Sequence, residues 1–248
     1  MDTFVIIVKY GGLGDHLIVS DLPRIANECG GARRVLISNL SEYRHSDYRR
    51  LMWEANPYVD GCCDDDAPYP PPGDIPAGMN LLDHIMMFRG LDDRKRYHEP
   101  ELFFRPERND LLINATVYDP HVISNAGDIT SSHVEKYVRK NRMFIECMLN
   151  PREKCIPVKR YGQLLKTHNL EEYCSVIVSA RRFICLTSGG ATLAAALAQP
   201  AICLYGLGVS QLFHHSRLNR YVDVTGRKLE VFLTRAAQRT ERLDRVES

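Results

Sequence analysis

The chain has 248 residues, 32 Lys/Arg against 31 Asp/Glu for a formal charge of +1, and 44% hydrophobic residues. That length buries a core in one large domain or two domains of about 100–130 residues each, and the near-zero charge gives no global case for nucleic acid or a membrane surface. No charged-then-apolar leader and no apolar run approaching a membrane span stands in the sequence, so a cytoplasmic protein is expected, with at most a peripheral membrane association.

Phe4 to Lys9 is a continuous apolar run of the buried parallel-strand type. Tyr10-Gly11-Gly12-Leu13-Gly14-Asp15 follows, then an apolar-periodic stretch from Leu17 to Ala26. A dinucleotide fingerprint fails on spacing, because its third glycine falls at Leu17 and the strand Arg34 to Asn39 ends without an acidic residue for a ribose. A Gly loop and a carboxylate remain at the end of the first strand, where open α/β sheets place ligands. Asp15 is read either as a helix N-cap or as a general base, and Lys9 either as a solvated lysine or as a group that orients Asp15 or a phosphate. Pro23 either kinks the helix or sits in the first turn of one that begins near Asp21.

The proline cluster in residues 64–74 reads as a surface loop, and Asn80 to Arg89 as a helix with one packed face. The chain is expected to divide near residues 104–109, into an N-terminal domain over 1–106 and a C-terminal domain over 107–248. Leu111 to Tyr118 reads as the first strand of the second domain, Ser131 to Arg139 as a helix, Arg142 to Leu149 as a strand and Leu170 to Ser179 as a helix. Residues 184–206 read as strand, Thr187-Ser188-Gly189-Gly190 turn, Ala-rich helix, Pro200 stop and strand. A helix start preceded by small residues offers unpaired N–H groups and a partial positive charge to a close phosphate, although the same turn also serves simply to pack a helix on a sheet. The charged tail over 227–248 reads as a terminal helix.

Charge is uneven: residues 1–108 carry 13 Lys/Arg and 18 Asp/Glu, leaving 32 − 13 = 19 and 31 − 18 = 13 for residues 109–248. A basic second half suits a diphosphate ligand, as it suits ordinary solvated surface. The eight cysteines lack C-x-x-C spacing and read as reduced, mostly buried thiols, and the scattered histidines support no metal site.

Several segments in order, Ile6-Ile7-Val8-Lys9, Gly14-Asp15-His16-Leu17, Leu22-Pro23-Arg24-Ile25, Asn56-Pro57-Tyr58-Val59-Asp60 and Glu99-Pro100-Glu101-Leu102-Phe103-Phe104, resemble the N-terminal domain of the heptosyltransferase-like glycosyltransferases of family 9. Leu170-Glu171-Glu172-Tyr173, Ser179 to Ile184 and Thr187 to Leu197 through Pro200 and Tyr205-Gly206 resemble its nucleotide-sugar half. The resemblance implies a GT-B fold, in which two Rossmann-like lobes with parallel sheets face each other across a cleft, here in a short version. It implies a metal-independent transfer of sugar from a nucleotide-diphosphate donor to a glycan, lipid-linked or other hydroxyl acceptor, with no cofactor. Asp15 would be the base, Lys9, Gly12 and Gly14 would border the acceptor, and Thr187, Ser188, Gly189, Gly190 and Thr192 would contact the donor. The chain departs from the family where Asp is usual at Thr187 and His at Thr192, and residues 119–128 lack the usual Lys and Trp. Those departures keep open a non-catalytic scaffold that binds a nucleotide or a partner protein, and a nucleotide-sugar epimerase.

Overall fold

The structure is a computed structural model that describes residues 2–69, 75–122, 126–138, 144–148, 155–158, 162–209 and 216–225. The expected terminal helix over 227–248 lies outside these residues, as does part of the proline loop. Two parallel sheets share no strand among the described residues. The first runs β1 (Thr3–Ile6), β2 (Arg34–Ser38), β3 (Gly61–Cys63) in that spatial order. The second contains β4 (Thr116–Asp119), β5 (Phe144–Met148), β6 (Gly162–Lys166), β7 (Arg182–Leu186), β8 (Ala201–Tyr205) and β9 (Arg220–Asp223) in the order β6-β5-β4-β7-β8-β9.

The chain thus enters the second sheet at β4, fills one side with β5 and β6, then crosses to lay β7, β8 and β9 on the other. Its direction reverses between β4 and β7, and crevices outside the carboxyl ends of such a switch point are where open α/β sheets bind ligands. Phe183, Ile184, Cys185 and Leu186 of β7 are all fully buried, which is the continuous apolar pattern of a strand covered on both faces.

The helices are α1 (Leu13–Leu17), α2 (Leu22–Glu28), α3 (Leu81–Phe88), α4 (Ser131–Val138), α5 (Leu170–Ser179) and α6 (Gly189–Ala196), with a π-helical turn over Arg49–Glu54 and a 3-10 turn over Asp110–Leu112. The periodic stretch from Leu17 to Ala26 is therefore split: α1 ends at Leu17, and Asp21 precedes α2 with Pro23 near its start, where no amide hydrogen is required. The expected strand from Leu111 is shorter than its apolar content suggested. Asn109 accepts from the Leu111 amide and caps a 3-10 turn, so extended pairing begins only at Thr116.

His16 is the centre of an aromatic box in the first lobe. Trp53 Nε1 can only donate, and it lies 3.0 Å from His16 Nδ1, so the ring proton is on Nε2, 2.9 Å from Glu42 O. Tyr43 stacks on the ring at 4.8 Å. Burial lowers the His16 pKa to about 4, so this histidine is a neutral packing and hydrogen-bonding group.

The lobes are joined by polar contacts as well as packing. Asp47 Oδ2 accepts from the Leu170 amide at 3.0 Å, so a first-lobe carboxylate sits on the start of α5. Arg50 pairs with Glu171 at 2.7 Å. The Arg217 amide donates to Glu99 at 2.9 Å while its guanidinium lies 3.6 Å from the centre of the Tyr97 ring.

Candidate functional site

The start of α6 forms one wall of the site. Ser188 is extended (φ −139°, ψ 178°) and occupies the N-cap, yet its hydroxyl makes no capping bond and is shielded from solvent without a hydrogen-bond partner among the described residues. Asn80 and Asn169, the N-caps of α3 and α5, each accept an amide in the ordinary way. Ala191 and Thr192 donate to Ser188 O at 3.0 and 3.5 Å, so the amides of Gly189 and Gly190 stand ahead of the first intrahelical bonds. Thr192 is buried one turn into the helix, away from that edge.

The small residues have separate reasons. A Cβ on Gly190 would overlap the Asp119 carboxylate and lie 2.6 Å from the Tyr173 hydroxyl. A Cβ on Gly189 would lie 2.9 Å from Gly14 N and 3.1 Å from Leu13 Cβ, because the starts of α1 and α6 touch. The contact is uneven, since a Cβ on Gly14 would meet Gly189 Cα at an ordinary 3.5 Å.

Asp119 was not among the residues singled out from sequence. It is the last residue of β4 and fully buried; its Oδ2 accepts from Tyr173 of α5 at 2.5 Å, and its Oδ1 accepts from the His121 amide at 3.0 Å and lies 2.7 Å from His121 Nδ1. A carboxylate only accepts, so His121 Nδ1 carries a proton. The local signal was available in Asp119-Pro120-His121 at a strand end. The Tyr173 partner was not, since it comes from a helix 54 residues later.

On the opposing wall, Asp15 stands in the first turn of α1, three residues after Gly12, the N-cap. Its Oδ2 accepts from the Gly12 amide at 3.0 Å, so the N-cap role read for Asp15 belongs to Gly12. Burial pushes the Asp15 pKa above its ordinary value, against the Gly12 bond and the charge of Arg44, while Glu42 reinforces the rise. Lys9 does not reach Asp15: its Nζ pairs with Asp66 at 2.9 Å on the loop after β3. That loop brings Tyr69 edge-on to Tyr10 at 5.7 Å, and Asp15 is among the charges felt by the Tyr69 phenol. The structure therefore brings Gly14 and Gly189 into contact from opposite lobes, with Gly12, Asp15, Ser188 and Gly190 beside them, while Lys9 is paired with Asp66 and Thr192 is buried one turn into α6.

Among the described residues, no group of three or more His, Cys, Asp or Glu side chains is placed to hold a metal ion, and no helix is long and apolar enough to cross a membrane.

Two parallel sheets flanked by helices make an α/β architecture of the GT-B type, and solved structures give it a more specific likeness. No protein-family model and no curated protein matches the sequence. The bacterial iron-containing dodecameric glycosyltransferase TibC from enterotoxigenic E. coli matches with a TM-score of 0.61 at 16% identity, over 88% of this chain and 62% of that one. E. coli heptosyltransferase WaaC, solved with ADP, matches with a TM-score of 0.56 at 10% identity over 98% and 99% of the two chains. A family 9 glycosyl transferase from Veillonella parvula matches with a TM-score of 0.55 at 8% identity over 89% and 84%. This chain thus spans less than two thirds of the length of TibC. The fold is that of the heptosyltransferase-like, family 9 glycosyltransferases.

Proposed function

We propose that the chain is a glycosyltransferase that moves a sugar from a nucleoside-diphosphate donor to an acceptor hydroxyl, with lobes over 1–106 and 107–248. The observation that carries this reading is the start of α6. A Ser188 hydroxyl with no hydrogen-bond partner among the described residues and two amides ahead of the helical bonds lie at the switch point of one sheet and against the Asp15 loop of the other. Two solved structures of this fold support the ligand class, WaaC by its ADP and TibC by its complex with ADP-D-beta-D-heptose.

In this mechanism the anomeric carbon–oxygen bond of the donor breaks and its electron pair passes to the diphosphate, whose charge is met by Ser188, Gly189 and Gly190 at the helix start. The acceptor oxygen bonds to the anomeric carbon as Asp15 takes its proton, a task that suits a carboxylate whose pKa burial has raised. No step proposed here calls on a metal or cofactor. Thr187 follows β7 beside this group, and Gly12 and Gly14 shape the acceptor side. The Gly14–Gly189 contact favours a second reading, a scaffold that binds without turnover, because a diphosphate enters between the helix starts only if they separate.

Calorimetric titration with ADP, GDP, UDP and CDP tests the donor site, using Ser188→Asp as the variant. Aspartate is a good N-cap, so the helix keeps its start while a carboxylate enters the phosphate position. Selective binding by the native protein, weakened at least 10-fold in the variant, is expected; no binding of any of the four overturns the reading. Asp15→Asn then separates transferase from scaffold, with an expected loss of about 100- to 10,000-fold in turnover and unchanged nucleotide affinity. Nucleotide release that needs an added acceptor separates transfer from epimerisation.

A further inference from the structure

Beyond the carboxyl end of β1 the chain runs through Lys9, Tyr10 and Gly11 to the Gly12 amide that holds Asp15. Tyr10, two residues before that amide, is 51% exposed. The turn that carries it is fixed. Gly11 has φ +64°, and a Cβ there would lie 2.9 Å from Glu42, while the amides of Glu42 and Arg44 donate to Val8 O and Gly11 O at 2.9 Å each. A large ring held open to water at the ligand edge of a parallel sheet gains free energy when a ligand covers it.

Tyr69 is brought to Tyr10 from the far strand of the same sheet. The loop after β3 is tied back at three points: Asn39 Nδ2 donates to Asp64 Oδ1 at 2.8 Å, Ser38 Oγ to Asp65 O at 2.6 Å and Lys9 Nζ to Asp66 Oδ1 at 2.9 Å. These bonds lead the loop from β3 past β2 to β1, and the Tyr69 ring stands 5.7 Å from that of Tyr10 with the two planes at 82°. In such a perpendicular pair each ring keeps at least one face that its partner does not cover. Burial raises the pKa of the Tyr69 phenol, and Asp15 and then Tyr10 reinforce the rise, so the pair lies within electrostatic reach of the proposed base.

We propose that Tyr10 and Tyr69 form the acceptor subsite, and that the acceptor is a neutral saccharide whose ring stacks on this pair with one hydroxyl directed to Asp15. The inference rests on the transferase reading above and gives it an acceptor class. A sugar ring has C–H groups on its faces and hydroxyls around its rim, so a face packs on an aromatic ring while the rim meets polar groups. Lys9 and Asp66, an exposed donor and acceptor, stand one and three residues from the two tyrosines. Asp64, Asp65 and Asp66 share the exposed loop, and among the described residues only Asp66 of the three is in an ion pair. That surplus of carboxylates disfavours a phosphorylated or otherwise anionic acceptor.

Capture of the whole chain on an array of neutral oligosaccharides, in the presence of ADP, GDP, UDP and CDP in turn, tests the class, with phosphorylated sugars and phosphatidylglycerol vesicles as the anionic probes. Neutral oligosaccharides are expected to be captured and the anionic probes not. The tightest saccharide is then titrated by calorimetry. Tyr10→Ala is expected to weaken it at least about 10-fold, and Tyr10→Phe to stay within about 3-fold because the ring face makes the contact, with nucleotide affinity the same in both. If Tyr10→Ala does not fold, Tyr69→Ala on the loop is expected to weaken the same saccharide at least about 3-fold. Native affinity in both alanine variants overturns the subsite, and an equal loss in Tyr10→Phe overturns stacking. An anionic probe bound as tightly as the saccharides, or no saccharide captured while a nucleotide binds, overturns the acceptor class and leaves the donor site standing. No binding of any nucleotide overturns the donor reading itself.

Discussion

Asp21 and Asp119 are both fully buried aspartates, one in each lobe, and their surroundings are opposite. Asp119 accepts from Tyr173, from the His121 amide and from the His121 ring. Both oxygens of Asp21 lack a hydrogen-bond partner on any other described residue, with Glu101 nearby to add repulsion and His98 and Arg24 to reduce it. Burial therefore means different things for the same side chain. In the second lobe both oxygens of Asp119 are hydrogen-bonded by donors. Without them the first lobe raises the pKa of Asp21 to about 7 and holds it largely as the acid at mildly acidic pH.

The largest expected effect breaks this contrast at Asp21. Its folded pKa of about 7 lies above the unfolded value of 3.8, so its favourable contribution is complete below pH 4 and is lost as pH rises to 7. At pH 8 the loss is about 4 kcal/mol. Asp21→Asn removes the titration, so urea unfolding should find the variant more stable than the native chain at pH 8 by an amount approaching that figure, and the difference should vanish near pH 4. An equal difference at both pH values would show that Asp21 titrates normally. His16 acts in the other direction, because its pKa of about 4 lies below 6.5 and its contribution is lost as pH falls through that interval. The comparison of variant with native chain removes this common term.

Next in size is Asp119→Ala, which leaves the Tyr173 hydroxyl and the His121 ring without a shared acceptor and is expected to cost about 3 kcal/mol in urea unfolding. A loss under about 0.5 kcal/mol would mean that the three bonds contribute nothing net. The lobe contact gives a smaller, directional effect. Gly189→Ala forces its methyl against Gly14 and Leu13 and is expected to lose about 2 kcal/mol. Gly14→Ala has ordinary contact distance and gains helix propensity, so it should stay within about 1 kcal/mol of the native chain. Similar losses for both would refute the uneven contact. The smallest expected effect is Arg50→Ala: its pair with Glu171 is exposed, and the melting temperature should not move measurably at physiological salt.

Local sequence determined much of the fold. The apolar runs of β1, β2, β7 and β8, the helix α5, and the split of the chain into α/β halves follow from periodicity and from Gly and Pro positions that act within a few residues. The strands β3, β6 and β9 were not legible. Gly61-Cys62-Cys63 has three residues and no alternation, and becomes a strand only because β2 offers an unpaired edge. The candidate site divides the same way. Gly14, Asp15 and Ser188 to Gly190 are marked by turn chemistry that the sequence carries in one place. The contact of Gly14 with Gly189, the pairing of Lys9 with Asp66, the burial of Thr192 and the assembly of Asp119, His121 and Tyr173 were decided only when distant elements met. A turn is specified by neighbours along the chain, whereas the partner of a buried charge is whatever the packed sheet and helices place within 3 Å of it.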